Sequence, residues 1–402
     1  MKTLTHTLAL LAVSIAALAP SARAQLAIPS DGSDGALNLT SGINVIDLRQ
    51  AVTGVWSNNN SAYAGKGIYD PAKWAVVFKY SSVVIASNAT VVFGNNISRA
   101  PVVWLVSGDV TINGTLSLDG QDANQNPTHI AEPGPGGFRG GTMTQIGFGH
   151  GCGFGPGGAN FPTYGCYSSG LLPYGSSRIV PLIGGSGSSG NNGPYGAAGG
   201  AAGGGAILIA ASGSILVNGY CHANGGSLAG TSYGSGGAVR LVGHQILGSG
   251  RIEAITAAST TSPPNIQGRI RLEANTASGS LLVNPGAVVM SPTPLVIWPD
   301  ASTPTVQVIS VAGQSAPATP TGAMSAAGDD MITGTTNAVT ILLQTANFPT
   351  NGIVNVYVKN LYAGQNTLQA GFVSGNTSLA TWQVTASLRV GHNVIQAHAA
   401  VP

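Results

Sequence analysis

Gly205-Ala206-Ile207-Leu208-Ile209, Gly237-Ala238-Val239-Arg240-Leu241 and Gly268-Arg269-Ile270-Arg271-Leu272 repeat one pattern at offsets of 32 and 31 residues. A shorter copy, Val102-Val103-Trp104-Leu105, stands earlier. Each run is apolar or β-branched and most are entered through glycine, which predicts a short strand. After most of them, about ten residues on, comes a small-residue turn and a second run. Asn113-Gly114 precedes Leu116-Ser117-Leu118, Asn218-Gly219 precedes Cys221, and Ser249-Gly250 precedes Ile252-Glu253-Ala254. Strand, turn, strand, turn recurring at this spacing predicts an all-β solenoid, most simply a parallel β-helix. In such a stack Ile207, Val239 and Ile270 lie one above another.

Working outward, strand-like runs begin at Val76-Val77-Phe78 and continue through Val110-Thr111-Ile112, bounded by Ser-Asn and Asn-Gly punctuation. Residues 25–75 read as a lead-in that caps the first coil, and residues 76–300 as the β-helix. A glycine-rich insertion at 121–204 interrupts it. Gly134 to Gly205 holds 26 glycines in 72 residues, yet also eight of the 24 aromatics, among them Tyr164 and Tyr167. A bare linker has no use for those rings. Trp104 and Leu208 take the outward place of Arg240 and Arg271, so the insertion is expected to fold back over the first two. A packed bundle of glycine-rich extended helices is the alternative, because glycine lets chains approach closely. Past Pro299–Pro304 the composition turns to Pro, Ser and Thr. Residues 303–402 then offer about seven strand candidates, which suggests an immunoglobulin-like β-sandwich around Trp382.

The first 24 residues carry Lys2, an apolar run from Leu8 to Ala19 and Ala22-Arg23-Ala24, the pattern of a cleaved secretory leader. Export to the cell exterior or cell surface is the expectation, with a mature chain starting near Gln25. Without the leader's Lys2 and Arg23 the 15 basic residues fall to 13, equal to the 13 acidic ones. A neutral chain with 7% charged residues is a poor partner for nucleic acid, and no run is long enough for membrane insertion.

Candidate chemistry is sparse. Cys152 and Cys166 close a 15-residue loop, and a disulfide is preferred there in an oxidising compartment. Zinc held by His150, Cys152, Cys166 and the Cys221-His222 pair is the rival, and Cys221 otherwise reads as a small buried residue. Asp119 and Asp122 are the only nominees for the paired carboxylates of a sugar-cleaving β-helix, against a bland role in turns. Arg240, Arg269 and Arg271 form a stripe able to grip an acidic polysaccharide, unless Glu253 and Glu273 neutralise it as a surface ion-pair ladder. No metal or cofactor is expected.

Gly149-His150-Gly151 and Arg269-Ile270-Arg271 are similar to fragments of the pectin-cleaving polygalacturonases. That family's paired Asp upstream of the His has no counterpart here, and Asp329-Asp330 falls in the C-terminal module. Gly108-Asp109-Val110-Thr111-Ile112-Asn113-Gly114-Thr115, Gly203-Gly204-Gly205-Ala206-Ile207-Leu208-Ile209 and Gly268-Arg269-Ile270-Arg271-Leu272 resemble instead those of exported glycine-rich bacterial proteins with pectin-lyase-like β-helix coils. That resemblance implies fold and exported location. It leaves activity open; neutral charge-poor coils, no convergent titratable cluster and the appended module lead to the expectation of a structural or adhesive role, with itself or a polysaccharide as partner. Tyr164, Tyr167, Arg240 and Arg271 are the candidate ligand contacts. A polysaccharide lyase or glycoside hydrolase is the alternative.

Overall fold

The computed structural model describes residues 26–126, 129–142, 152–157, 174–193, 196–228, 232–256, 267–277, 279–317, 320, 330–360 and 365–401. Among them the chain is all-β, with helix only in the single turns Leu48–Gln50 and Ser61–Tyr63. Seventeen strands form one large, nearly closed sheet whose pairings are almost all parallel. Ala206–Ala211 lies between Val102–Val106 and Ala238–Val242, which in turn pairs with Arg269–Glu273. The offsets read from the sequence are the observed register: Ile207 faces Val239, and Val239 faces Ile270.

Register of this kind converts a sequence repeat into columns of like side chains. Val76, Val102, Ile207, Val239 and Ile270 make one inward column, and Phe78, Trp104, Ile209, Leu241 and Leu272 the next. All of these are buried in a single core. Two more stacks complete the wall. Val83, Val110, Ile215 and Ile246 form an inward column on one, and Val91, Leu116, Cys221, Ile252 and Val283 on the other. Burying each such aliphatic is worth about 1.5–3 kcal/mol, so the columns dominate the stability of this part.

Three expectations are corrected here. Trp104 points inward beneath Ile209, and it is Val103 that shares the outward column with Leu208, Arg240 and Arg271. A one-residue slip exchanges the two faces of a strand. The outward patch around Val103 and Leu208 is covered by Leu26, Ile28, Trp56, Leu182, Leu295, Ile297 and Trp298, so the chain's lead-in and its exit segment supply most of the lid. The lead-in is also more than a cap: Gly35–Asp47 is a strand running parallel to Ala75–Gly94 as the lowest layer of the sheet.

Described parts of the glycine-rich insertion form a bundle of extended segments in place of a sheet. In 200–205 the donors repeat every three residues. Gly200 and Gly203 donate to Gly141 and Phe138, Ala202 and Gly205 to Gln121 and Leu118, and Ala201 and Gly204 to Ser188 Oγ and Ser235. A strand alternates between two directions; three directions at a three-residue period are those of the polyproline II helix. Glycine is obligatory at the crossings. A Cβ on Gly203 would lie 1.9 Å from the Gly185 carbonyl oxygen, and one on Gly140 2.0 Å from that of Gly200. The aromatic pinning by Phe148, Phe161, Tyr164 and Tyr167 lies outside the described residues.

Seven strands of the C-terminal region pair antiparallel in one continuous curved sheet. Its 12-residue strand Gln365–Asn376 joins Ile353–Asn360 on one side to Leu379–Ala386 on the other. Trp382 sits in that core against Phe348 and Phe372, its indole N–H donating to Thr345 Oγ1 at 2.9 Å. Lys359, 2% exposed, ties this region to the insertion by donating to the carbonyls of Gly153 and Gly155 at 3.2 and 3.1 Å.

Two outcomes follow from this packing. Gly203→Ala and Gly140→Ala each cost ~1–3 kcal/mol or more by overpacking, measured as a fall in thermal midpoint, while Gly279→Ala, with nothing within 4 Å, is neutral. Equal behaviour of the three variants contradicts the bundle. Burial lowers Lys359 from 10.5 to about 8. The unfolded chain then holds this proton between pH 8 and 10.5 while the folded chain releases it, so stability rises with pH across that window. Lys359→Met removes this component of the pH dependence; an identical profile in the variant contradicts it.

Candidate functional site

The chain's few carboxylates gather where one layer meets the next. Asp109 Oδ1 accepts from the Ser214 amide at 2.7 Å, Asp119 Oδ1 from the Asn224 amide at 2.6 Å, and Asp122 Oδ1 from the Ser227 amide at 2.7 Å. All three span 105 residues, as does the side-chain bond from Asn218 to Asn113. The insertion thus occupies one oversized turn of the chain, and the acids at its start lock onto amides that follow its end, holding the layers in register. Asp119 and Asp122 were expected to serve their own turns or a substrate; the observed bonds reach across to the neighbouring layer.

Tyr220-Cys221-His222 is a strand whose alternation sends Cys221 inward and the two rings outward. Below and above them stand Thr115 and Ser117, then Arg251 and Glu253. His222 Nδ1 lies 2.8 Å from Asp119 Oδ2. The Tyr220 hydroxyl donates to Glu253, which also pairs with Arg251, and Arg251 lies over the Tyr220 ring. Burial and the Glu253 carboxylate push the Tyr220 hydroxyl up to about 12. The result is an outward row of mixed charge, Asp119, His222, Tyr220, Glu253 and Arg251, in which the acids already have partners.

Asp119 also lines an open cleft of about 820 Å³ between Leu48–Thr53, Phe93–Arg99, Ser117–Gln121 and 132–135. Its second acid, Glu132, accepts from Arg99 Nε at 2.9 Å and from Arg139 Nε at 2.7 Å. At its mouth Arg49 pairs with Asp47 at 2.8 Å, and that hydrogen bond draws the Asp47 carboxyl down to about 2. The cleft's Tyr69 hydroxyl, Asn95 Oδ1 and Asn96 Nδ2 are buried without a hydrogen-bond partner. The charged residues that line the cleft are paired, so its wall offers no unpaired charge to an ionic guest.

The expected arginine stripe is corrected by burial. Arg240 is 2% exposed, and its Nε donates to Glu273 Oε1 at 2.7 Å; Arg271 Nε donates to the same oxygen at 2.6 Å. This is an enclosed triad, where a ladder exposed to solvent was foreseen. Arg240 accordingly offers nothing to a polysaccharide. Arg269 leaves the triad altogether, donating to the Ile183 carbonyl and lying over the Tyr174 ring at 5.6 Å; burial lowers its pKa. Glu253 belongs to Tyr220 and Arg251.

Cys221 is a free thiol within the core, pushed up to about 12 by burial and, to a lesser extent, by the Asp119 charge. Because Cys221 and His222 face opposite sides of their strand, they cannot share one zinc ion. Cys152 is buried, while its expected disulfide partner Cys166, like His150, Tyr164 and Tyr167, lies outside the described residues.

Sequence reasoning considered His222 only as a zinc ligand beside Cys221, and missed Tyr220 and Glu132. The signal for the first two was present in the period of Tyr220-Cys221-His222; Glu132 reaches Arg99 across 33 residues with no pattern to announce it. No protein-family model matches the chain, and comparison with curated proteins and with solved structures returns no match.

Glu273→Ala leaves the buried Arg240 and the partly buried Arg271 without their counter-charge and is expected to cost about 3–5 kcal/mol in denaturant unfolding. A loss below about 1 kcal/mol, the level of an exposed pair, contradicts the enclosed triad.

Proposed function

We propose that this chain is an exported structural or adhesive protein, a rigid parallel β-helix with a glycine-packed lateral bundle and an immunoglobulin-like sandwich at its C-terminus. The sandwich reading takes Gln365–Asn376 as the strand shared by its two layers. Export rests on the leader pattern of the first 24 residues. One observation carries the functional reading: the acids that a glycan-cleaving site would use are engaged in holding the fold. Asp109, Asp119 and Asp122 bind amides of the next layer, Glu132 and Glu273 each answer two arginines, and Glu253 is shared by Tyr220 and Arg251. A general acid needs a carboxyl poised to give up and regain a proton, and cross-linked carboxylates suit rigidity instead.

Adhesion fits the same inventory. A chain with few charges, a cleft whose charged groups are paired, and an appended β-module favour passive contact with neutral polysaccharide over chemistry on it. The catalytic alternative draws on one fact, that Asp119 and Glu132 line the same cleft.

The test takes protein recovered from the exported fraction and assays reducing ends and unsaturated products over a panel of acidic and neutral glycans. The expected outcome is binding of neutral glycans without turnover. Turnover that Asp119→Ala abolishes, or retention of the chain inside the cell, overturns the proposal.

A further inference from the structure

The sheet ends abruptly at both extremes of the stack. Its lowest strand, Gly35–Asp47, pairs only with Ala75–Gly94, and its uppermost strands, Thr276–Ala277, Leu282–Asn284 and Val288–Met290, each pair only with the layer beneath. Among the described residues nothing supplies a second partner to either edge. Natural proteins blunt such edges with lysine, proline or a covering segment. Here the strand Gly35–Asp47 carries one charge, Asp47 at its last position and already paired with Arg49, and residues 276–284 carry neither charge nor proline. The exposed side chains are apolar instead: Ile43 is 77% and Val45 62% exposed below, Leu282 63% and Val289 55% above.

The two edges also match. Both cover the same two stacks of the wall, and all their strands run parallel. Tracing the pairings upward, Ile43 stands under Thr90, Thr115, Tyr220, Arg251 and finally Leu282. Leu37 likewise heads the column of Val83, Val110, Ile215 and Ile246 that ends at Ala277. A second copy displaced along the stack axis therefore sets the exposed Ile43 onto the exposed Leu282 and brings Leu37 onto Ala277, continuing the inward apolar column of Leu37 and the backbone ladder at the ~4.8 Å strand spacing.

We propose that this protein associates head to tail with further copies of itself, the Gly35–Asp47 edge of one molecule pairing with the Thr276–Ala277 and Leu282–Asn284 edge of the next. The inference rests on the structural reading above and names its partner. Such a contact is heterologous and does not close, so it grows into a filament along the stack axis.

The edges are separable by charge. Ile43→Lys blocks the lower edge and Leu282→Lys the upper; both positions are solvent-exposed, and an unchanged thermal midpoint verifies folding. Val45→Lys is the second lower-edge variant should Ile43→Lys lose stability. In sedimentation velocity over a concentration series, the parent chain is expected to form species beyond the dimer, with filaments in electron micrographs. Each variant alone stays monomeric. An equimolar mixture of the two stops at the dimer, because the one open edge of each variant is used in that contact and only the two blocked edges remain. A parent chain that is monomeric at every concentration, an Ile43→Lys variant that dimerises alone, or assembly indifferent to both variants overturns the proposal. Glycan turnover, which sinks the structural reading, is read in a separate assay and is not confused with any of these results.

Discussion

Parallel strands in strict register hold this molecule together. Once Ile207 is bonded alongside Val239, and Val239 alongside Ile270, every neighbouring side chain is assigned a column and a face. Apolar residues stack on apolar residues inside, and the outward positions become a surface that other segments cover or leave open. The locks at Asp109, Asp119 and Asp122 hold the same register across the place where the insertion leaves and returns, 105 residues apart. Without that clamp the long excursion has an entropic freedom that the short turns lack.

From this constraint follow both the enclosed charges and the glycine bundle. A stack presents its outward columns as a flat wall. The exit segment around Leu295 and Trp298 lies on it, and the Arg240, Arg271 and Glu273 group is enclosed because it can satisfy itself. The insertion leaves the wall as several extended chains side by side. Only glycine lets those backbones approach within hydrogen-bonding distance in three directions, which is why Gly140, Gly187, Gly200 and Gly203 meet carbonyl oxygens where a side chain would begin.

Much of the architecture was readable in advance, and the failures have physical causes. Offsets of 32 and 31 residues announced the stack, because Ile207, Val239 and Ile270 carry both the repeat and the core. Trp104 was placed on the wrong face because Val102 to Val106 is apolar throughout and buried on both sides, so its two-residue period has no contrast. The bundle's three-residue period is silent in sequence, since glycine repeats carry no side-chain pattern. Arg240 is buried beside Glu273, a partner 33 residues downstream, and no local rule reports it. At the candidate site, Asp119 was named from its sequence position, while its neighbours His222 and Glu132 arrive through register and through a distant loop.

The most direct measurement of the register is chemical. Gln245 faces Thr276 in adjacent layers, with Ala277 one residue out of line. Paired cysteines at Gln245 and Thr276 fall within the distance a disulfide needs and are expected to oxidise readily, while cysteines at Gln245 and Ala277 point to opposite faces and stay reduced. Peptide mapping without reductant reads the cross-link. Joining of the offset pair in preference to the aligned one contradicts the stack on which the whole account is built.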